Sequence, residues 1–265
     1  MSTKTTIWRL IETASLDGPG NMAVDEAILL SFDPRRSAPV LRLYGWDPPA
    51  ISCGRYQRPH NILDLERCAD MGVPVIRRVT GGGIIYHAEE LTYSIVCAPC
   101  HIPSTPSVKE SFRVLTGFLC RFYTRLGLDP SYAVEGQGGE RAPFCFAGRE
   151  SYDILINGRK IGGNAQRRLR RVIFQHGSIP LSNCLPVAVP FLRDEPTGLE
   201  ESVTSLAEEG VKPDIVLLKK ELAAAFCESF NVTLDRCALT AEELAMAGAL
   251  RANKYTCDAW NLYGK

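Results

Sequence analysis

Between Cys145 and Leu181 the chain reads CFAGRESYDILINGRKIGGNAQRRLRRVIFQHGSIPL, and the Asn157-Gly158 pair inside it constrains the fold more than any other feature. Asn and Gly tolerate the positive φ that a two-residue hairpin turn needs, so Asn-Gly between two β-like runs predicts paired strands. Tyr152, Ile154 and Ile156 alternate before the turn and Ile161 follows it, which places strands over 153–156 and 159–161. Gly162 and Gly163 come directly after Lys160, where they let a ligand approach the backbone closely. Cys145 and Lys160 lie near the two ends of this region, where both can face one cleft. They form the candidate catalytic pair.

Around this hairpin, strand-like runs fall at 7–11, 40–44, 50–53, 73–77 and 89–96. Apolar residues at 22, 24, 28, 29 and 32 predict a helix N-capped by Asn21. Residues 63–71 read as a helix closed by Gly72, and 107–126 as an amphipathic helix closed by Gly127. Two more helices are expected over 213–230 and 240–255, the second opened by Thr240 and Glu243 as a capping box. Residues 128–143 read as a glycine-rich loop, 182–196 as an irregular Pro-rich segment and 198–206 as a short connection. Strands clustered in the middle, with helices before, between and after them, predict an α+β fold with helices packed on mixed or antiparallel β-sheets.

Charge and composition exclude several classes. Lys+Arg 30 against Asp+Glu 30 gives a net charge of zero, which removes any global attraction to nucleic acid or to an anionic membrane. No apolar run approaches the roughly 18–20 residues of a membrane span, and the N-terminus lacks a secretory h-region. A soluble cytoplasmic protein is expected. Of the 10 cysteines, Cys97 and Cys100 alone have a CxxC spacing, which reads as a strand end running into a Pro loop in preference to a metal or redox site. Arg77 and Arg78 precede Gly81, Gly82 and Gly83. That pattern suits an anion or an acyl headgroup held by backbone amides, and equally an ordinary hairpin. It is not a Walker loop, because no Gly-Lys-Ser/Thr follows. His87, just beyond it, reads as a structural hydrogen-bonder.

Taken together, RRVTGGGIIYH, GRKIGGNAQRR and QHGSIPL, with NMAVDEAIL, LRLYGW, ISCGRYQ and KYTCDAWN, resemble the biotin/lipoate protein ligase superfamily in its lipoate-metabolism branch. The resemblance spans nearly the whole chain. HAEELTYSIV, VKESFRVLTGFLCRFYTRLGL and CFAGRESYDILINGRKIGGNAQ are most similar to the LipM-type octanoyltransferases. It implies a single biotin/lipoate ligase-type catalytic domain over 1–265, monomeric and without cofactors. The implied reaction moves octanoyl from octanoyl-acyl carrier protein, through a cysteine thioester, to a lipoyl-domain lysine. The acceptor is glycine cleavage H protein or a 2-oxoacid dehydrogenase subunit.

Carried over residue by residue, Cys145 is the acyl acceptor and Lys160 the substrate-positioning lysine. Arg77, Gly81, Gly82, Gly83 and His87 belong to the acyl-binding loop, and Gly162, Gly163, Asn164 and His176 complete the substrate-binding set. His87 is also the candidate to take the proton of the incoming lysine. The basic run Arg167–Arg171 is a solvated face or a docking patch for the acidic carrier protein. Two positions depart from the transferase pattern. Gly83 stands where an arginine is frequent, as in ATP-using ligases, and Ala88 where an aspartate is usual. An ATP- and Mg-dependent lipoate-protein ligase is therefore the alternative, and a non-catalytic lipoyl-domain-binding module a third reading.

Overall fold

A computed structural model describes residues 6–103, 107–133, 152–194 and 201–265. In chain order, the first elements are β1 (Thr6–Glu12), α1 (Gly18–Ser31), β2 (Val40–Tyr44), β3 (Ala50–Cys53), α2 (Leu65–Asp70) and β4 (Val75–Arg77). Then follow β5 (Ile85–His87), β6 (Glu90–Cys97), α3 (Val108–Arg125), β7 (Pro130–Tyr132), β8 (Ile154–Ile156) and β9 (Arg159–Ile161). The rest are β10 (Gly163–Leu169), β11 (Val172–Pro180), α4 (Leu185–Ala188), β12 (Val203–Thr204), α5 (Ile215–Phe230), β13 (Val232–Arg236), α6 (Ala241–Leu250) and α7 (Asp258–Asn261).

Six strands form the main sheet in the order β10-β11-β6-β2-β1-β13. The β13-β1-β2 pairings are parallel and the β2-β6-β11-β10 pairings antiparallel, so the sheet is mixed as expected. Strand alternation sorts its side chains between two helical layers. Trp8, Leu10, Leu41, Leu43, Tyr93 and Ile95 pack with Phe118 and Phe122 of α3 and Phe226 of α5. The intervening Ile11, Val40, Tyr44 and Val96 pack with Met22, Ala27 and Ile28 of α1 and Ala247 of α6. Two smaller sheets, β12-β9-β8-β7 and β4-β3-β5, complete the architecture. Among the described residues, no helix is long and apolar enough to cross a membrane.

The hairpin forms where the Asn-Gly pair places it. Asn157 and Gly158 have φ of 50° and 75°, and Leu155 pairs with Lys160 across the turn. The capping box also forms, with the Thr240 side chain accepting from the Glu243 N–H. Elsewhere the boundaries move for identifiable reasons. Helix α1 starts at Gly18, capped by the Asp17 side chain, and not at Asn21. Pro19 fits that first turn because its missing N–H has no helical partner to lose. Asn21 is instead buried, donating to the Leu16 and Gly45 carbonyls.

The Pro-rich segment contains α4, whose Pro186 also lies in a first turn. The expected loop at 128–143 includes the short strand β7, recruited by pairing with β8. The last expected helix breaks after Leu250 into a π-helical turn, Arg251–Tyr255. There Lys254 and Tyr255 both reach Glu26 of α1 at 2.7 Å.

Candidate active site

A cavity opens beside α1 and strands β5, β6, β10 and β11. Met22, Trp46, Ile85 and Ala165 give it an apolar wall, while Arg78, His87, Asn164 and His176 bring polar groups to it. Two buried hydrogen-bond networks hold those groups in place.

The first network centres on Glu90. Its carboxylate accepts from His87 Nδ1 at 2.9 Å, from Ser178 Oγ at 2.6 Å and from the Thr92 hydroxyl. Burial alone would raise the Glu90 carboxyl, but His87 and the Ser178 and Thr92 hydroxyls overrule it and hold the group below its ordinary value. Trp46 donates to Thr92 at 2.8 Å, and its ring stacks on His87 with centroids 3.9 Å apart. His87 Nε2 meets Ser52 Oγ at 2.6 Å, and Arg78 donates to the same oxygen at 2.6 Å. Arg78 and His87 share the Ser52 hydroxyl as a partner. Both nitrogens are thus engaged. His87 joins Ser52 to Glu90 within the cavity wall.

The second network centres on Asp25. Oδ1 accepts from Arg42 at 2.7 Å and Ser94 at 2.8 Å, and Oδ2 from Tyr44 at 2.8 Å. His176 Nδ1 lies 3.7 Å from Oδ2. Burial pushes the Asp25 carboxyl up, and the Arg42 and His176 charges and hydrogen bonds bring it below its ordinary value. Burial also pushes His176 down, with Asp25 opposing. The other nitrogen of His176 meets Thr80 Oγ1 at 2.8 Å. Asn164 accepts from Tyr93 at 2.7 Å, across a position where a Cβ on Gly177 would stand 2.1 Å from Asn164 Oδ1.

Arg77, expected in the acyl-binding loop, is engaged away from this cavity. Its guanidinium donates to the carbonyls of Trp260 at 2.8 Å, Gln57 at 2.8 Å, Arg55 at 2.9 Å and Leu262 at 3.0 Å. It braces the C-terminal segment and does not line the cavity. Arg78, its neighbour, is turned to the opposite side and does line it. Gly81 and Gly83 offer their carbonyls to Arg78 at 3.1 Å and 2.9 Å. Gly82, at φ 94°, packs so closely that a Cβ on Gly54 would meet its oxygen at 2.0 Å. The glycine loop is not among the cavity's lining residues. Its backbone wraps the arginine.

Lys160 is buried, with Nζ 2.7 Å from Asp153 Oδ2. It does not line the cavity itself, whereas Gly163 does. Three residues of chain span at most about 11 Å, so Lys160 stands close to the cavity wall. Between them Gly162, at φ 78°, lies so near β11 that a Cβ would meet the Ser178 oxygen at 2.0 Å. Cys145 lies outside the described residues. Cys97 is buried at the end of β6 and Cys100 exposed in the turn that follows, as the Pro-loop reading has it. Among the described residues no three His, Cys, Asp or Glu side chains gather as a metal site.

The model of the lipoyl protein ligase A/B catalytic domain matches residues 17–227. The chain belongs to that family. An octanoyltransferase LipM from Kyrpidia tusciae is 36% identical over 269 residues, spanning 96% of this chain and 98% of its own. Two solved relatives at 23% identity share the fold of this lipoyl protein ligase family member. One is a lipoate-protein ligase A bound with ATP, with TM-score 0.83 over 99% of this chain and 100% of that one. The other is a bi-partite lipoate protein ligase from Thermoplasma acidophilum studied with its E2 lipoyl domain, with TM-score 0.82 over 98% of each chain.

Of the residues expected at the site of this lipoyl protein ligase family member, His87, Gly163, Asn164 and His176 meet at one cavity. Asp25, Glu90, Trp46 and Ser178 were not expected from the sequence, and of the two arginines before the glycine loop it is Arg78 that lines the cavity. Arg78 was within reach, because neighbours on an extended strand face opposite ways. Asp25 also left a signal, as an acidic residue beside the apolar stripe of α1.

Proposed function

We propose that this chain is an octanoyltransferase of lipoate biosynthesis, moving octanoyl from a carrier-protein thioester to a lipoyl-domain lysine. The observation that carries this reading is the 36% identity to an octanoyltransferase LipM across nearly the full length of both chains. In this reading the acyl tail packs on the apolar wall formed by Met22, Trp46 and Ile85.

In the first step the Cys145 thiolate attacks the octanoyl carbonyl. A new thioester C–S bond forms and the bond to the carrier sulfur breaks, the carrier thiolate taking up the proton that the Cys145 thiol gave up. One thioester replaces another, so the step is close to isoenergetic. The acceptor lysine, as a neutral amine, then attacks the acyl-cysteine. An amide forms, the amine gives up its proton, and the Cys145 thiol is regenerated. Lys160 serves both steps by hydrogen-bonding the carbonyl oxygen as negative charge develops there. Loss of one such donor raises a barrier by about 3 kcal/mol. A free thiol has a pKa of about 8.5, so a cation nearby also favours the thiolate.

This scheme needs no cofactor. Arg78 donates to Ser52 and the Gly83 carbonyl, and Arg77 to the Gln57 carbonyl. That engagement supports a shaping role for the loop in place of phosphate binding.

The test is turnover with octanoyl-carrier protein and a lipoyl-domain acceptor in the absence of nucleotide. Octanoylated lysine is expected. Acceptor modified only when octanoic or lipoic acid is supplied with ATP and Mg would overturn the reading in favour of a ligase.

A further inference from the structure

Lys160 and Asp153 form a dry ion pair, with Nζ 2.7 Å from Oδ2 and side chains only 3% and 7% exposed. The β8–β9 register sets Leu155 opposite Lys160. Paired and alternate residues share a face of a sheet, so positions 153, 155 and 160 project to one side. The backbone on both sides of the pair is pinned. The Asp153 carbonyl accepts from the Ala133 N–H at 2.8 Å, and the Lys160 N–H donates to Ser202 at 2.9 Å. Tyr152, immediately before Asp153, has φ 72°, a left-handed conformation that disfavours a bulky side chain.

We propose that Asp153 is a positioning residue for acyl transfer, fixing the direction of the Lys160 ammonium. An ammonium has three N–H donors, so a contact with Asp153 does not prevent another from reaching an acyl carbonyl oxygen. Separating two opposite charges this deeply buried is costly, which confines Lys160 to one orientation without any contact between Asp153 and substrate. The inference rests on the role proposed above for Lys160.

A double-mutant cycle tests it. Octanoyl transfer from carrier protein to lipoyl domain is measured for wild type, Asp153→Asn, Lys160→Gln and the double variant. Asn keeps the shape of Asp and removes the charge. Asp153→Asn is expected to lower kcat by on the order of 10- to 100-fold, with KM for both substrates near wild type. The double variant is expected to be no slower than Lys160→Gln, because Asp153 acts through the lysine. Losses that multiply in the double variant would overturn the proposal, as would an unchanged kcat in Asp153→Asn. An unchanged kcat in Lys160→Gln would overturn the reading of Lys160 itself, so the two failures are distinct. Should Asp153→Asn not fold, Asp153→Glu takes its place with the same expectations. It keeps both charges and shifts the carboxylate by one methylene.

Discussion

Asp25 stays charged in a dry interior because Arg42 lies 2.7 Å away and Ser94 and Tyr44 complete its shell. His176, beside it, is held below its ordinary value of 6.5 by burial, as is His101. Unfolding releases both histidines to their ordinary value, so below pH 6.5 the unfolded chain binds more protons than the folded one. Stability is therefore fully present above about pH 6.5 and declines as the pH falls toward the folded-state values. The depressed Asp25 and Glu90 carboxyls, ordinarily at 3.8 and 4.5, add a second loss at lower pH with the same sign. Urea unfolding followed from pH 8 to pH 3 is expected to show both declines, with His176→Gln weakening the first and, through the loss of its contact with Asp25, part of the second. Stability that rises on acidification through pH 6.5 would contradict the account. Asp25 itself was legible only as an acidic residue in an amphipathic helix. Its partners on β2 and β6 are distant in sequence, so the need for a buried charge could not be read there.

At the scale of elements, the hairpin and the strand after it show what local chemistry determines. Asn157-Gly158 specified a turn that no neighbouring element had to impose, and the β8–β9 register followed. The turn from β9 to β10 is different. Gly162 combines φ 78° with a backbone contact that leaves no room for a methyl group. Gly162→Ala is therefore expected to destabilise the fold by roughly 1–3 kcal/mol and to displace the β9–β10 turn from β11, lowering transfer activity as well. Thermal unfolding and turnover of the same preparation check this. A variant with wild-type stability would show that β11 yields at Ser178. Sequence reading recognised that glycine as a point of close approach, but the close partner is β11. The start of α1, the π-helical turn and α4 escaped for a related reason. Each is fixed by packing or capping partners that local periodicity does not reveal.

At the scale of the whole molecule, the mixed sheet with helices on both faces follows from alternation along β1, β2 and β6. Each of these strands feeds one set of apolar residues to α3 and α5 and the other to α1 and α6. Strand and helix periods alone made legible an α+β fold with helices packed on a mixed or antiparallel sheet, but not which helices cover which face. The site was legible chiefly through the resemblance carried by RRVTGGGIIYH, GRKIGGNAQRR and QHGSIPL. Those segments lie apart in the chain and converge because β10 and β11 pair beside β6. Composition could not have indicated that convergence, and it could not have chosen Arg78 over Arg77.

The central claim is acyl transfer through Cys145, and its most direct test is the intact mass of the protein after mixing with octanoyl-carrier protein without ATP. Wild type is predicted to gain one octanoyl group, labile to hydroxylamine and passed on when a lipoyl domain is added, while Cys145→Ala gains none. An unmodified wild-type protein that nevertheless octanoylates the lipoyl domain, or an adduct that persists in Cys145→Ala, would contradict it.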